Sequence, residues 1–283
     1  MISRPDVTIV VFAYNRPDKT RNTLLSLHRA LDFFRLSEPS QETPQVVVAV
    51  DGPKRPLGDA MRVQEVIAVS RTLMPAAAIW ASKINRSLPS HLMQTLDRVF
   101  SDESVALALC IEDDVELAPA AITALLYASR LMTRSGFVIG AAPRHRDGSL
   151  EHQMLLLDRV AHEKSSTLLK AYIENFSLDG AVREGAYGQR DHNAIATWSG
   201  EIARAAGVSV PKGTSQDRIR ELSWNREGVR LVGLPTRLVK HRGYWGQHNT
   251  PWYALRTGQL FQRLDRRPWE LIAEGINAAL RRP

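Results

Sequence analysis

The stretch "VALALCIEDDVELAP", residues 105–119, joins an apolar run to three consecutive carboxylates, Glu112, Asp113 and Asp114. The apolar part has the length of a buried strand, and Pro119 stands where a proline can open a helix. Like charges at the end of a buried strand are costly to ionise unless a cation or a hydrogen-bond donor compensates them. The stretch therefore predicts a strand, an acidic edge and a helix, with a positive group close to the carboxylates.

Strand-like and helix-like segments alternate around this stretch. Strands are predicted at "VTIVVFA", "QVVVAV", "AAIWA" and "FVIGAA", and helices at "PDKTRNTLLSLHRALDFF", from about Asp59, and at "SHLMQTLDRVF". This alternation is typical of an α/β fold with a mostly parallel sheet and helices on both faces. Residues 159–206 look mostly helical, and a further helix is predicted from about Gln216 to Asn225.

The chain of 283 residues, 44% of them hydrophobic, can bury a real core. We expect one continuous domain over residues 1–250 and a C-terminal helical extension over residues 251–283. The apolar spacing of the extension fits a helix that packs on the core or on another subunit, so a homo-oligomer is left open. Its Arg-rich opposite face also fits peripheral contact with a membrane.

The net charge of +7, with much of the excess arginine after residue 200, favours anionic partners. No basic stripe interleaved with aromatic side chains is visible, so nucleic acid is not an expected partner. The apolar runs are too short for a membrane span, and the N-terminus does not resemble a signal peptide. The single cysteine, Cys110, excludes a disulfide framework. We therefore expect a cytoplasmic protein, with the inner face of the membrane as an alternative location.

Polar side chains follow each of the first four predicted strands. In an open parallel sheet, ligands bind in the crevice beyond the carboxyl ends of the strands. A turn at Asp51 and Gly52 and a helix entry at Arg16 would each explain one such group without a ligand. Taken together, the groups predict a pocket for a nucleoside diphosphate and a divalent ion: Tyr14, Asn15, Arg16, Asp51, Lys83, Asn85, Arg86, Glu112, Asp113 and Asp114.

The acidic triplet has two interpretations. Side chains alternate along a strand, which would bring Glu112 and Asp114 to one side while Asp113 points away. Mg²⁺ and Mn²⁺ prefer carboxylate and phosphate oxygens, so this side suits a metal. The alternative is that the acidic residues stabilise the N-terminus of the helix that follows.

Three segments resemble the nucleotide-binding half of GT-A (Rossmann-like) glycosyltransferases: "VTIVVFAYNRPDKTRNTLLSL", "VVVAVDGP" and "ALCIEDDVELAP". The last is similar to the "EDD" form of the Asp-X-Asp (DXD) motif in N-acetylglucosaminyltransferases that act on mannose and in bacterial family 2 enzymes. The resemblance covers residues 5–143, which makes residues 144–250 the acceptor-facing half.

The resemblance implies roles for single residues. Asp114 would coordinate the metal, and Glu112 and Asp113 would contact the ribose or the donor sugar. Asp51 would meet the uracil or ribose, and Arg16 the base or the phosphates. Lys83 and Arg86 would be further contacts to the nucleotide sugar. Tyr14 and Asn15 are expected to contact it as well, because they follow the first strand.

In the second half, the resemblance implies a catalytic base near the start of a helix, and Asp217 in "GTSQDRIRELSW" matches best, although Gln216 precedes it where the family has an acid. The alternative is that Asp217 only stabilises a helix N-terminus. The stretch "VKHRGYWGQHNTPW" suits a loop that closes over a ligand. There His241 could complete the metal shell and Arg242 could hold phosphate, while Tyr244 and Trp245 could stack on a sugar; a rigid, aromatic-packed turn is the alternative.

The sequence thus predicts a transferase of polysaccharide or glycoconjugate biosynthesis. With Mn²⁺ or Mg²⁺, it would transfer a sugar from a nucleotide-sugar donor, most simply a UDP-sugar. The acceptor would be a hydroxyl of a glycan or glycoconjugate, and the transfer would invert the anomeric centre. One rival is a sugar-nucleotide nucleotidyltransferase, but "FAYNRPDKT" lacks the glycines of its phosphate loop. The other is a noncatalytic nucleotide- or carbohydrate-binding protein of the same fold.

Overall fold

The computed structural model describes residues 6–55, 58–145, 147–182, 216–242 and 262–280. Elements are numbered within these ranges. The strands are β1 (Asp6–Ala13), β2 (Gln45–Val50), β3 (Ala78–Ala81), β4 (Val105–Glu112), β5 (Val115–Leu117), β6 (Phe137–Gly140), β7 (Met154–Asp158), β8 (Arg230–Gly233) and β9 (Val239–His241). The helices are α1 (Pro17–Ser37), α2 (Asp59–Leu73), α3 (Leu88–Phe100), α4 (Ala121–Arg130), α5 (Arg159–Val182), α6 (Gln216–Arg226) and α7 (Trp269–Leu280).

Seven strands form one sheet in the order β3-β2-β1-β4-β7-β6-β8. Strands β2 and β4 both pair in parallel with β1, on opposite sides of it. The chain therefore reverses its direction of winding between β1 and β4, and this switch point is where an open α/β sheet offers a crevice for ligands. The ends of β1 and β4 carry the predicted polar residues.

Helices cover both faces of the sheet because the strands are apolar on both sides. Ile9 and Val11 of β1 face a core that includes buried side chains of α1, α2, α4 and α7. Val10 and Phe12 face the other core, which includes buried side chains of α3, α5 and α6. The predicted α/β class, a mostly parallel sheet with helices on both faces, is confirmed.

The second half departs from simple alternation in β7. This strand runs antiparallel to both β4 and β6, whereas β6 and β8 pair in parallel. Its sequence, "MLLLD", is buried throughout and gives no sign of strand direction. The loosened pattern expected after Arg144 therefore conceals two further strands of the main sheet, β7 and the edge strand β8.

A small antiparallel ribbon, β5 with β9, lies beyond the end of β4. Thr23 of α1 anchors it, since its hydroxyl donates to the Val115 carbonyl at 2.8 Å and accepts from the Val115 N–H at 3.1 Å. Strand β9 of this ribbon begins at Val239 and includes His241.

The C-terminal helix α7 packs on the core. Ile272 and Ile276 are buried, and Tyr127 of α4 exchanges hydrogen bonds with Asn277 at 2.8 and 3.1 Å. Of the alternatives for the extension, packing on the core describes this helix. Its separation from a domain over residues 1–250 stays a prediction. Within the described ranges, no helix combines the length and the hydropathy required to cross a bilayer.

Candidate functional site

Arg16 supplies positive charge beside the acidic triplet. Its guanidinium, at the entry to α1, donates to Asp114 Oδ2 at 2.6 Å and also pairs with Asp113 Oδ1. Asp113 further accepts from the Tyr14 N–H and the Thr20 hydroxyl, both at 3.3 Å. Both carboxylates are buried, whereas the Arg16 side chain is 37% exposed. The guanidinium thus joins the end of β1 to the end of β4 and offsets charge that would otherwise be buried.

A cluster of three metal-ligand side chains lies next to this ion pair. Glu112, Asp114 and His241 each offer one ligand atom, and the three atoms lie within 4.8 Å of one another. Asp114 and His241 are buried, and Glu112 is half-buried. The three residues come from the end of β4, the turn after it, and β9.

The β5–β9 ribbon brings His241 to the carboxylates. Val115 pairs with His241 across the ribbon, and the Arg242 N–H donates to the Asp114 carbonyl at 2.7 Å. The His241 Nε2 atom then lies 3.3 Å from Asp114 Oδ2. Two short strands separated by more than 120 residues along the chain thus complete one cluster.

The cluster fits a divalent cation. Among the described residues, Asp114 Oδ1 is buried and accepts no hydrogen bond, while Oδ2 of the same group is occupied by Arg16 and His241. A buried carboxylate oxygen without a donor calls for a positive partner. Two carboxylates and one imidazole are suitable ligands for Mn²⁺, and carboxylates also suit Mg²⁺. Glu112, Asp114 and His241 are therefore the residues that would hold the ion.

The protonation of these groups follows from their surroundings. Burial raises the pKa of Glu112 to about 8, and the negative charges of Asp114 and Asp217 add to that shift. Burial acts in the same sense on Asp114, but the hydrogen bond with His241 and the charge of Arg16 outweigh it and hold the pKa of Asp114 below its ordinary value. A bound cation would favour the ionised form of Glu112 as well.

Tyr14 and Asn15 contact an acid that the sequence did not single out for the site. The Tyr14 hydroxyl donates to Asp59 Oδ2 at 2.8 Å, and the Asn15 amide donates to Asp59 Oδ1 at 3.0 Å. The Tyr14 hydroxyl also accepts from the Lys54 N–H. Burial, followed by the hydrogen bond to Asp59, raises the pKa of Tyr14 to about 12. The two side chains fasten the loop after β2 and the start of α2 to the rim of the crevice.

Asp51 organises the loop after β3. Its carboxylate accepts from the Asn85 amide at 3.0 Å and from the Arg86 N–H at 2.9 Å. Gly52 is required beside it, because a Cβ there would lie only 2.3–2.6 Å from the backbone of Ile84. The buried Asp51 thus takes its partners from the loop after β3, 34 and 35 residues further along the chain, while it borders the same crevice.

The remaining first-half candidates lie at the surface. Lys83 is exposed, and the Arg86 side chain is exposed with its Nε donating to Ser82 at 3.1 Å. Neither contacts the carboxylate cluster through a described hydrogen bond or ion pair. They form an open cationic edge next to the Asp51 loop.

Asp217 lies near the cluster at the start of α6, where its charge interacts with that of Glu112. His152 contacts it, with Nδ1 3.5 Å from Asp217 Oδ1. The other ring nitrogen of His152 lies 3.2 Å from Glu221 Oε1. Sequence reasoning missed His152, and it missed Arg220, a buried guanidinium next to the same acids. The helical spacing of Asp217, Glu221 and Trp224 was the one available signal.

Arg242 pairs with Glu116 across the β5–β9 ribbon, with Nε 2.7 Å from Oε2. The phosphate contact predicted for Arg242 therefore requires that this half-exposed pair open or share the guanidinium. Tyr244 and Trp245, predicted to face the sugar, lie outside the described residues.

No protein-family model matches the sequence, and no curated protein matches it. Similar solved structures include TarS from S. aureus, at 11% identity and a TM-score of 0.38, with 57% of this chain covered; this chain spans only 30% of TarS. Another is glucosyl-3-phosphoglycerate synthase from Mycobacterium tuberculosis, solved with Mn²⁺, UDP and glucosyl-3-phosphoglycerate. Its identity is 11% and its TM-score 0.44, with 90% of this chain and 76% of that chain covered.

Proposed function

We propose that this protein is a metal-dependent, inverting glycosyltransferase that uses a nucleotide-sugar donor, with UDP as the preferred nucleotide. The observation that carries the proposal is the Glu112–Asp114–His241 cluster at the switch point of a mostly parallel sheet. The unpartnered Asp114 Oδ1 supports a cation there. A crevice with one acidic wall and cationic neighbours suits a diphosphate that is bound together with a divalent ion.

Mn²⁺ or Mg²⁺, when bound, supplies positive charge that stabilises the diphosphate leaving group. The chain's own residues do the rest of the binding. Arg16 holds the buried carboxylates in place from the β1 side. The Asp51 loop, with Asn85 and the exposed Lys83 and Arg86, forms the edge where the nucleoside and its phosphates would lie.

The transfer needs a base on the acceptor side, and Asp217 fills this role in the proposal. Its carboxylate takes the proton of the acceptor hydroxyl as that oxygen forms a bond to the anomeric carbon. The bond from the anomeric carbon to the diphosphate oxygen breaks on the opposite face of the sugar, which inverts the anomeric centre. Asp217 is 37% exposed, so an acceptor can reach it, whereas the neighbouring Glu221 is buried.

The test is the release of nucleoside diphosphate from UDP-glucose, UDP-galactose, UDP-N-acetylglucosamine and GDP-mannose, with Mn²⁺ and mixed glycan acceptors. We expect release from one donor, with loss of activity in EDTA and in Asp114→Ala. Asp217→Asn should lower turnover by at least about 100-fold and leave nucleotide binding intact. Asp97→Asn, which removes an acid paired with His162 elsewhere, is the control and should retain activity. If neither EDTA nor Asp114→Ala changes the rate of nucleoside diphosphate release, the proposal is contradicted.

A further inference from the structure

The segment that precedes β7 connects α6 to the end of β4. The Leu150 N–H donates to Glu221 Oε1 at 2.5 Å, and the Glu112 N–H donates to the Gln153 carbonyl at 3.1 Å. His152 lies between these two attachments. Its backbone position is therefore fixed relative to both the carboxylate cluster and helix α6.

The His152 ring is held on three sides. Its Nε2 lies 3.2 Å from Glu221 Oε1, and its plane lies nearly parallel to the Trp224 ring, with 6.0 Å between centroids and 10° between planes. Its Nδ1 faces Asp217 Oδ1 at 3.5 Å and makes no hydrogen bond in this geometry, although it is buried. One ring nitrogen is thus committed to a buried acid, and the other is directed at the proposed base.

All three partners of the ring come from one face of α6. Asp217, Glu221 and Trp224 stand at helical positions i, i+4 and i+7, so their side chains share that face. Glu221 and Trp224 are buried, whereas Asp217 is partly exposed. A purely structural histidine would need only the buried pair. Packing does not explain why the Nδ1 atom of His152 also lies close to the exposed carboxylate of Asp217.

We propose that His152 is a positioning residue for Asp217, an inference that rests on the proposed function. With its proton on Nε2, directed to Glu221, the ring presents the Nδ1 lone pair to Asp217. When Asp217 takes the proton of the acceptor hydroxyl, its new O–H donates to Nδ1, and the proton stays on Asp217 until product leaves. Glu221 fixes the tautomer, and His152 thereby orients the carboxyl group of Asp217 once it holds the proton and stabilises this protonated form.

The main variant is His152→Phe, which keeps an aromatic ring on Trp224 and removes both nitrogens. The matched control is His162→Phe. His162 pairs with Asp97 at 2.8 Å and stacks on Phe100 at 5.3 Å between centroids, and neither partner belongs to the carboxylate cluster. His152→Phe should lower turnover of the UDP-sugar that the wild type uses by about 100-fold, with unchanged UDP–Mn²⁺ binding and donor KM. His162→Phe should retain wild-type turnover.

The combination with Asp217→Asn distinguishes positioning from a structural role. If His152 acts through Asp217, adding His152→Phe to Asp217→Asn should cause less than about a twofold further loss. His152→Asn, which restores a polar group at the δ position, should recover part of the turnover. If His152→Phe does not fold, two other tests take its place. The first is the turnover of His152→Asn. The second is ¹⁵N NMR of the imidazole ring, in which Asp217→Asn should shift the Nδ1 resonance of His152 and Asp97→Asn should not.

The outcomes separate this inference from the proposed function. If the wild type is active but the losses of turnover from His152→Phe and Asp217→Asn multiply in the double variant, the positioning role alone is overturned. The same holds if Asp217→Asn leaves the Nδ1 resonance of His152 unchanged. A wild type that releases no UDP from any donor would overturn the proposed function, and the inference would fall with it.

Discussion

Replacing Arg16 with methionine tests whether one guanidinium holds two buried carboxylates in place. Methionine keeps the apolar stem and removes the charge, which leaves Asp113 with two weak donors at 3.3 Å and Asp114 with His241 and the charge of Lys19. Removing one partner of a buried ion pair costs about 3–5 kcal/mol. Because the Arg16 side chain is 37% exposed, we take the lower end, about 3 kcal/mol.

For a domain of this size, a loss of about 3 kcal/mol corresponds to a fall in Tm of about 6 °C, measurable by circular dichroism or calorimetry in EDTA. The difference from wild type should narrow as the pH falls, since the ionised carboxylates that need Arg16 become protonated. Mn²⁺ should raise the Tm of Arg16→Met at least as much as that of the wild type, because the cation can replace part of the missing charge.

The matched control is Arg35→Met at the other end of α1. Arg35 pairs with Asp32 at 2.7 Å, but both side chains are about half exposed, so the loss should stay below about 0.5 kcal/mol. An Arg16→Met protein that unfolds within about 0.5 kcal/mol of the wild type would refute the reasoning. It would mean that the carboxylates are compensated by something other than the guanidinium.

Three further predictions concern single positions. Gly52→Ala should destabilise the protein by about 3 kcal/mol or more in urea unfolding, because a Cβ there meets the Ile84 backbone at 2.3–2.6 Å. Gly58→Ala, with open space around its Cβ, is the control, and a similar loss in both variants would count against the close approach. Ser87 adopts φ 64° and ψ 155°, a backbone conformation that favours glycine. Ser87→Gly should therefore raise the free energy of unfolding by about 1 kcal/mol, and a decrease would show that the backbone is not strained there. Burial raises the pKa of the Cys110 thiol to about 11, so iodoacetamide at pH 8 should label it only after unfolding, and rapid labelling of the folded protein would disagree.

The first half of the fold could be predicted because its signals are local. Strands β1, β2 and β4 are apolar on both faces, which the sequence shows as continuous runs, and the helices between them have apolar spacing. The carboxylates at the end of β4 were likewise visible, since they follow the apolar run directly. The α6 helix was predicted to within one residue of its end.

The rest depends on contacts between distant parts of the chain. The three-residue strand β9 depends for its stability on pairing with β5, and this pairing brings His241 to Asp114. The antiparallel direction of β7 is equally absent from a buried run of leucines. His152 stands in an unremarkable loop sequence, and only the fold places it against α6. The site roles of single residues stay predictions for the same reason.

Calorimetric titration with UDP, GDP and CDP, each with Mn²⁺ and then with EDTA, tests the central claim most directly. We predict that one nucleotide, UDP, binds in Mn²⁺, that EDTA removes the binding, and that Asp114→Ala abolishes it while Asp97→Ala does not. If no nucleotide binds under either condition, or if Asp114→Ala binds as the wild type does, then Glu112, Asp114 and His241 do not form the metal site of a glycosyltransferase.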